Sequence, residues 1–170
     1  MVDQPKTSSE TGDRQFSCFP AAVLAIILND QEQTLMLTSK VRPDQWEVVS
    51  GALEANETVL DGVLREINEE LGDDIQVQPV GVIHAQTFPY DRAIPDMISI
   101  VFVIHYKSGR VQPGDDMADS GHQWFDLSEL ITGNIDIIVP SGQFWLFKRA
   151  VETFRLWKDS PVDLQFRPRD

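Results

Sequence analysis

Cysteine is nearly absent: Cys18 is the only one in 170 residues. That excludes an internal disulfide framework and any multi-cysteine zinc site. Long apolar runs are missing too. Ala21 to Leu28, and Ile98 to Ile104 with its interruption at Ser99, both fall far short of the ~18 residues a membrane-spanning helix needs. Met1 to Arg14 is polar and lacks the apolar stretch of a secretory leader, so a cytoplasmic location is expected. Bases are scarce, with 14 Lys and Arg against 27 Asp and Glu, a net charge of −13 and an isoelectric point near 4.5. This argues against bulk nucleic acid and against anionic membrane surfaces as partners, since both are bound through basic faces. A small phosphate compound remains compatible with such acidity if a divalent cation stands between the two. The hydrophobic share, 42%, suffices for one core at this length.

Along the chain, residues 1–15 are polar and read as a flexible tail, residues 16–157 as one domain and residues 158–170, with Pro161 and Pro168, as an extended tail. Ala21 to Leu28 has the composition of a buried strand, closed by the turn signal Asn29-Asp30. Thr34 to Thr38 fits a returning hairpin strand, and Trp46 to Val49 a short strand after an Arg42-Pro43-Asp44 turn. Thr58 to Leu71 changes to a helical period, with Gly72 as a stop. Ile75 to Val82 and Met97 to Tyr106 return to strand composition, separated by a loop from His84 to Asp96. Gln123 to Asp126 reads as a short strand, Leu127 to Leu130 as a helical turn, and Ser141 to Trp157 as a second helix. Strands on both sides of a mid-chain helix predict a mixed α/β fold.

The informative stretch is Gly51 to Asp74. It carries Glu54, Glu57, Asp61, Glu66, Glu69, Glu70, Asp73 and Asp74 against a single base, Arg65, and so holds more than half of the chain's charge of −13. On a helical wheel advancing about 100° per residue, Val59, Val63, Ile67, Leu60, Leu71 and Leu64 fill an arc of roughly 140°. Glu70 falls inside that arc and Glu66 just outside it, with Glu69 beside them. Like charges at i, i+3 and i+4 destabilise a helix, and an unpaired buried carboxylate costs several kcal/mol. A hard cation such as Mg²⁺, which takes oxygen ligands, answers both problems.

As a string, Gly51-x5-Glu57-x7-Arg65-Glu66-Ile67-x-Glu69-Glu70-x-Gly72 resembles the Nudix box, G-x5-E-x7-R-E-U-x-E-E-x-G-U with U aliphatic. Only Asp73 departs, standing where an aliphatic residue is usual. Trp124-Phe125-Asp126-Leu127 with Glu129-Leu130 is similar to a late segment of the same family, and the resemblance covers Ala21 to Ala150. It implies an α/β/α sandwich with a mixed sheet, a loop–helix–loop catalytic motif, and hydrolysis of a diphosphate linkage in a nucleotide-like small molecule. It also implies Glu66, Glu69, Glu70 and the carbonyl of Gly51 as ligands for Mg²⁺ or Mn²⁺, with Glu66 or Glu69 as general base. Arg65 and Glu57 would orient those ligands. Asp115, Asp116 and Asp119 are further acids in a loop suited to a supporting role.

Many relatives read W-x-x-P-G-G into the box; here the string is Trp46-Glu47-Val48-Val49-Ser50-Gly51. That form is closer to the branch that cleaves dihydroneopterin triphosphate, and similar strings occur in nucleoside triphosphate pyrophosphohydrolases. Trp46, Phe88 and Tyr90 are candidates to stack on a substrate ring, and Arg92 to meet a phosphate. Two other readings are compatible with the fold. A prenyl diphosphate isomerase of this family would use a catalytic cysteine, for which only Cys18 is available. A nucleotide-binding module without turnover would be expected to have lost a box carboxylate. The aromatic helix near the C-terminus is suited to packing on its own sheet or to pairing two copies, so monomer and homodimer are both expected.

Overall fold

The computed structural model describes residues 5–39, 41–114, 117, 120–132, 134–138 and 143–160. Asp115, Asp116 and Asp119 therefore lie outside the described residues. Within the expected tail, β1 (Lys6–Ser8) and β2 (Gln15–Ser17) pair as an antiparallel hairpin, separate from the main sheet. The turn between them is closed by the amide of Gly12 donating to the carbonyl of Ser9.

The main sheet is built on β3 (Ala21–Leu28) and β8 (Met97–Ser108), which run parallel, Ala21 opposite Ile98 and Leu28 opposite His105. β4 (Thr34–Ser39) and β5 (Arg42–Glu47) continue the sheet on one side and β7 (Gln76–Phe88) on the other, giving the order β5-β4-β3-β8-β7. β6 (Val49–Ala52) pairs with the start of β3, and β9 (His122–Phe125) with β4. All pairings in this sheet other than β3–β8 are antiparallel.

Alternation along the two parallel strands divides the core. Val23, Ala25 and Ile27 of β3 with Phe102 and Ile104 of β8 meet Val63, Ile67 and Leu71 of α1 (Val59–Leu71). Ile26 and Leu28 with Val101 and Val103 meet Leu146, Phe147, Ala150, Val151 and Phe154 of α3 (Trp145–Trp157). The short α2 (Leu127–Ile131) adds buried Leu130 to the second cluster. The result is the expected α/β/α sandwich with a mixed sheet. Among the described residues no helix is long and apolar enough to cross a membrane.

Three boundaries differ from the sequence reading. Arg42-Pro43-Asp44 is not a turn but the start of β5, because β5 is an edge strand and Pro43 needs no partner for the N–H it lacks. β7 continues through His84 to Phe88, where a loop was expected. Its register shifts near Pro79 and Val82 disturb the alternation that would have revealed it. α3 begins at Trp145, later than the periodicity implied. Helix α1 matches closely, Thr58 serving as its N-cap. The Thr58 hydroxyl accepts from the Asp61 amide at 3.1 Å, and the Asp61 carboxylate accepts from the Thr58 amide at 3.4 Å.

Candidate active site

Helix α1 packs along β6, and this brings Glu66 against Gly51. A Cβ built on Gly51 would lie 2.0 Å from the Glu66 carboxylate. Any side chain at position 51 would displace the Glu66 carboxylate, which lies close beside the strand backbone. Glu66 is buried, which raises its carboxyl above the usual range, and the adjacent Arg65 pulls it partly back. Glu70, half-buried on the next turn, accepts the Ser50 amide at 3.3 Å. Burial pushes its carboxyl up to about 8 despite that hydrogen bond, with Glu66, Glu47 and Glu69 adding like-charge repulsion. The helical wheel placed Glu70 inside the apolar arc and Glu66 at its edge; Glu66 is covered as well, because Gly51 leaves room for its carboxylate against the β6 backbone.

Arg65 is the hub of the cluster. Its Nε and Nη2 donate to the two oxygens of Glu57 at 3.1 and 2.9 Å, and Nη2 also reaches the Ala52 carbonyl at 3.0 Å. Nη1 donates to Glu66 at 2.8 Å and to Glu69 at 2.9 Å. Glu57 sits below its ordinary carboxylate range, chiefly because of Arg65 and secondly because it accepts the Glu54 amide at 2.6 Å. Gly72 ends α1 with a positive φ of 92°, its amide still donating to Asn68. A recess of about 470 Å³ lined by Arg65, Asn68, Glu69, Gly72, Asp73 and Gly114 flanks the exposed side of the helix.

As placed, no three acidic, histidine or cysteine side chains among the described residues converge as a ready metal cage. Arg65 instead holds Glu66 and Glu69. The donor chemistry nevertheless fits a hard divalent ion. Glu66 and Glu70 are kept from easy ionisation in each other's company, and Glu66 lies in a cradle that any side chain at position 51 would fill.

On the far side of Gly51, a cleft of about 710 Å³ opens on the sheet face that carries α3. Ser50, Gly51 and Ala52 form one end, Leu24, Val48, Met97 and Ile138 apolar walls, and Phe88 and Tyr90 an aromatic side. Phe88 and Tyr90 are thus brought to the same cavity as Gly51. Arg92, exposed in the turn after β7, does not line it. Trp46 packs edge-on against Phe125 at 4.9 Å between ring centroids and against the α3-side core; its neighbours Glu47 and Val48 line the cleft instead. Cys18 is exposed and is not part of the lining. Arg42 and Glu47 are cleft residues that the sequence reading missed. Strict alternation counted back from Glu47 would not have found Arg42, because the pairing shifts between Leu37 and Ser39 opposite them.

Residues 19–141 match the NUDIX domain family. The chain is similar to the NAD-capped RNA hydrolase NudC of Pseudomonas aeruginosa, 26% identical over 121 residues, which cover 71% of this chain and 41% of that one. It is 32% identical over 68 residues to the dihydroneopterin triphosphate diphosphatase of Escherichia coli, covering 39% of this chain and 45% of the other. The match thus spans under half the length of either relative. Among solved structures, an ADP-ribose pyrophosphatase from Streptococcus suis superposes with a TM-score of 0.62 at 17% identity, over 81% of this chain and 93% of that one.

Proposed function

Since this chain belongs to the NUDIX domain family, we propose that it hydrolyses the diphosphate linkage of a small nucleotide-like substrate in the presence of Mg²⁺ or Mn²⁺. The observation that supports this reading is that Glu66 and Glu70 of the carboxylate ridge meet the backbone of Gly51 and Ser50, two residues that also line the aromatic-sided cleft. Family members generally require a divalent metal. Glu66, Glu69, Glu70 and the Gly51 carbonyl are the groups that would hold it. A bound ion of this kind supplies neutralisation of the diphosphate charge and a water of lowered pKa.

The chain's own residues do the rest. Phe88 and Tyr90 offer a face for the ring of the substrate, and the apolar walls exclude water around it. In the reaction a water oxygen adds to phosphorus and the bridging P–O bond breaks. The proton released by that water passes to Glu66 or Glu69, the two carboxylates that Nη1 of Arg65 holds side by side. Arg65, fixed in turn by Glu57, keeps those two side chains oriented and is a positioning residue. A screen of nucleoside triphosphates, dinucleoside polyphosphates, nucleotide sugars, NAD and dihydroneopterin triphosphate, with Mg²⁺ and with EDTA, tests the reading. Metal-dependent release of phosphate, pyrophosphate or a nucleoside monophosphate is expected. No turnover of any class would overturn it.

A further inference from the structure

The cleft must receive a substrate of high negative charge, yet Arg65, the base nearest the carboxylates, has nothing left to offer it. Every nitrogen of its guanidinium already donates, to Glu57, Glu66, Glu69 and the Ala52 carbonyl. Among the described residues Arg42 is the only cationic side chain lining the cleft, and its situation is the opposite. It makes one hydrogen bond among the described residues, from Nη2 to Glu47 at 3.3 Å, and its side chain is 48% exposed. A guanidinium has five N–H donors in a planar fork, so most of them face solvent in the cleft. Glu47, only 16% exposed, anchors the base of that fork.

We infer that Arg42 is a specificity-determining residue. It takes a phosphate of the substrate beyond the two that meet the carboxylate ridge, so the substrate class is an aromatic nucleoside or pterin triphosphate rather than a nucleotide sugar. This rests on the hydrolase reading above. Three features combine here. The cleft has an aromatic side for a ring and, at Ser50 and Gly51, the backbone that Glu70 and Glu66 meet, where the cleaved linkage would lie. Arg42 has fork donors beyond the one given to Glu47, and planar forks match phosphate oxygens in pairs. A diphosphodiester such as ADP-ribose presents a neutral sugar where a triphosphate presents a further anionic group, and only the latter calls on Arg42.

The test is kcat/KM for ATP, dihydroneopterin triphosphate and ADP-ribose in Mg²⁺, measured on the unaltered protein and on Arg42→Gln and Arg42→Lys. On the triphosphates Arg42→Gln is expected to lose about 10- to 100-fold, as for a hydrogen bond between charged groups. Arg42→Lys is expected to recover part of that loss as a point charge. Any turnover of ADP-ribose should stay within about threefold, and unchanged melting curves show that the variants are folded. Equal losses on all substrates, no loss on triphosphates, or an unaltered protein that cleaves ADP-ribose but no triphosphate would each overturn the assignment. If the unaltered protein cleaves nothing with Mg²⁺ or Mn²⁺, the hydrolase reading fails separately. Calorimetric binding of a methylene-bridged triphosphate analogue in Ca²⁺ then decides Arg42. Tenfold weaker binding to Arg42→Gln upholds it, and equal binding refutes it.

Discussion

Without metal, Glu70 should work against the fold at neutral pH. Its folded-state pKa of about 8 stands above the 4.5 of an ordinary glutamate. Between those values the folded chain holds a proton that the unfolded chain has released. Stability is therefore greatest below pH 4.5 for this group and falls as pH rises toward 8. At pH 7.5 the full difference is about 4 kcal/mol, from 1.36 kcal/mol per pKa unit. Residual solvent access to this partly buried side chain reduces this to roughly 2 kcal/mol. Glu70→Gln keeps an oxygen for the Ser50 amide and removes the charge. In EDTA at pH 7.5 the variant should melt about 4 to 8 °C above the unaltered protein, the shift that ~2 kcal/mol gives a chain of this size. The advantage should shrink to nothing near pH 4.5. Saturating Mg²⁺ should reverse the order, because a ligand that binds only the folded state raises its stability by mass action. Melting curves at pH 5 and 7.5, each with EDTA and with Mg²⁺, read all four corners. Equal midpoints in EDTA at pH 7.5, or an advantage that persists undiminished at pH 5, would refute the electrostatic account.

Gly51→Ala displaces the tip of the Glu66 side chain rather than any backbone. Its melting point in EDTA should stay within about 4 °C of the parent, while metal-dependent turnover falls about 100-fold through misplacement of one carboxylate. Turnover within threefold of the parent would contradict the role of that contact. Arg65→Lys cannot span Glu57, Glu66, Glu69 and the Ala52 carbonyl with three donors. A loss of about 2 kcal/mol is expected by denaturant titration in EDTA, narrowed when Mg²⁺ is present. Thr58→Ala removes the helix cap and should cost about 1 kcal/mol with kcat and KM unchanged.

Helix α1 and its cluster were legible because the signal is local. Thr58, the apolar spacing and Gly72 bound one helix, and the Glu66/Glu69/Glu70 triplet follows from its period. What could not be read depends on contacts between distant segments. Arg42 belongs to the cleft only because β5 lies at the sheet edge, where Pro43 is harmless. Trp46 sits in the sequence next to cleft residues, yet its ring turns to Phe125, which arrives with β9. The burial of Glu66 depends on the Gly51 backbone that lies against its turn of α1, and a helical wheel contains no strand. Phe88 and Tyr90 were found by composition, although the strand that carries Phe88 was not followed to its end.

The parallel pairing of β3 with β8 has a consequence for the order of assembly. β3, β6 and α1 are near neighbours in the chain and can associate early, bringing Gly51 and Glu66 together through short loops. Phe88, Met97 and the far wall of the cleft arrive only when β8 closes the long-range ladder from Ala21–Ile98 to Leu28–His105. The Gly51–Glu66 contact therefore rests on a local stretch of chain, whereas the aromatic side of the cleft depends on closure of the long-range ladder.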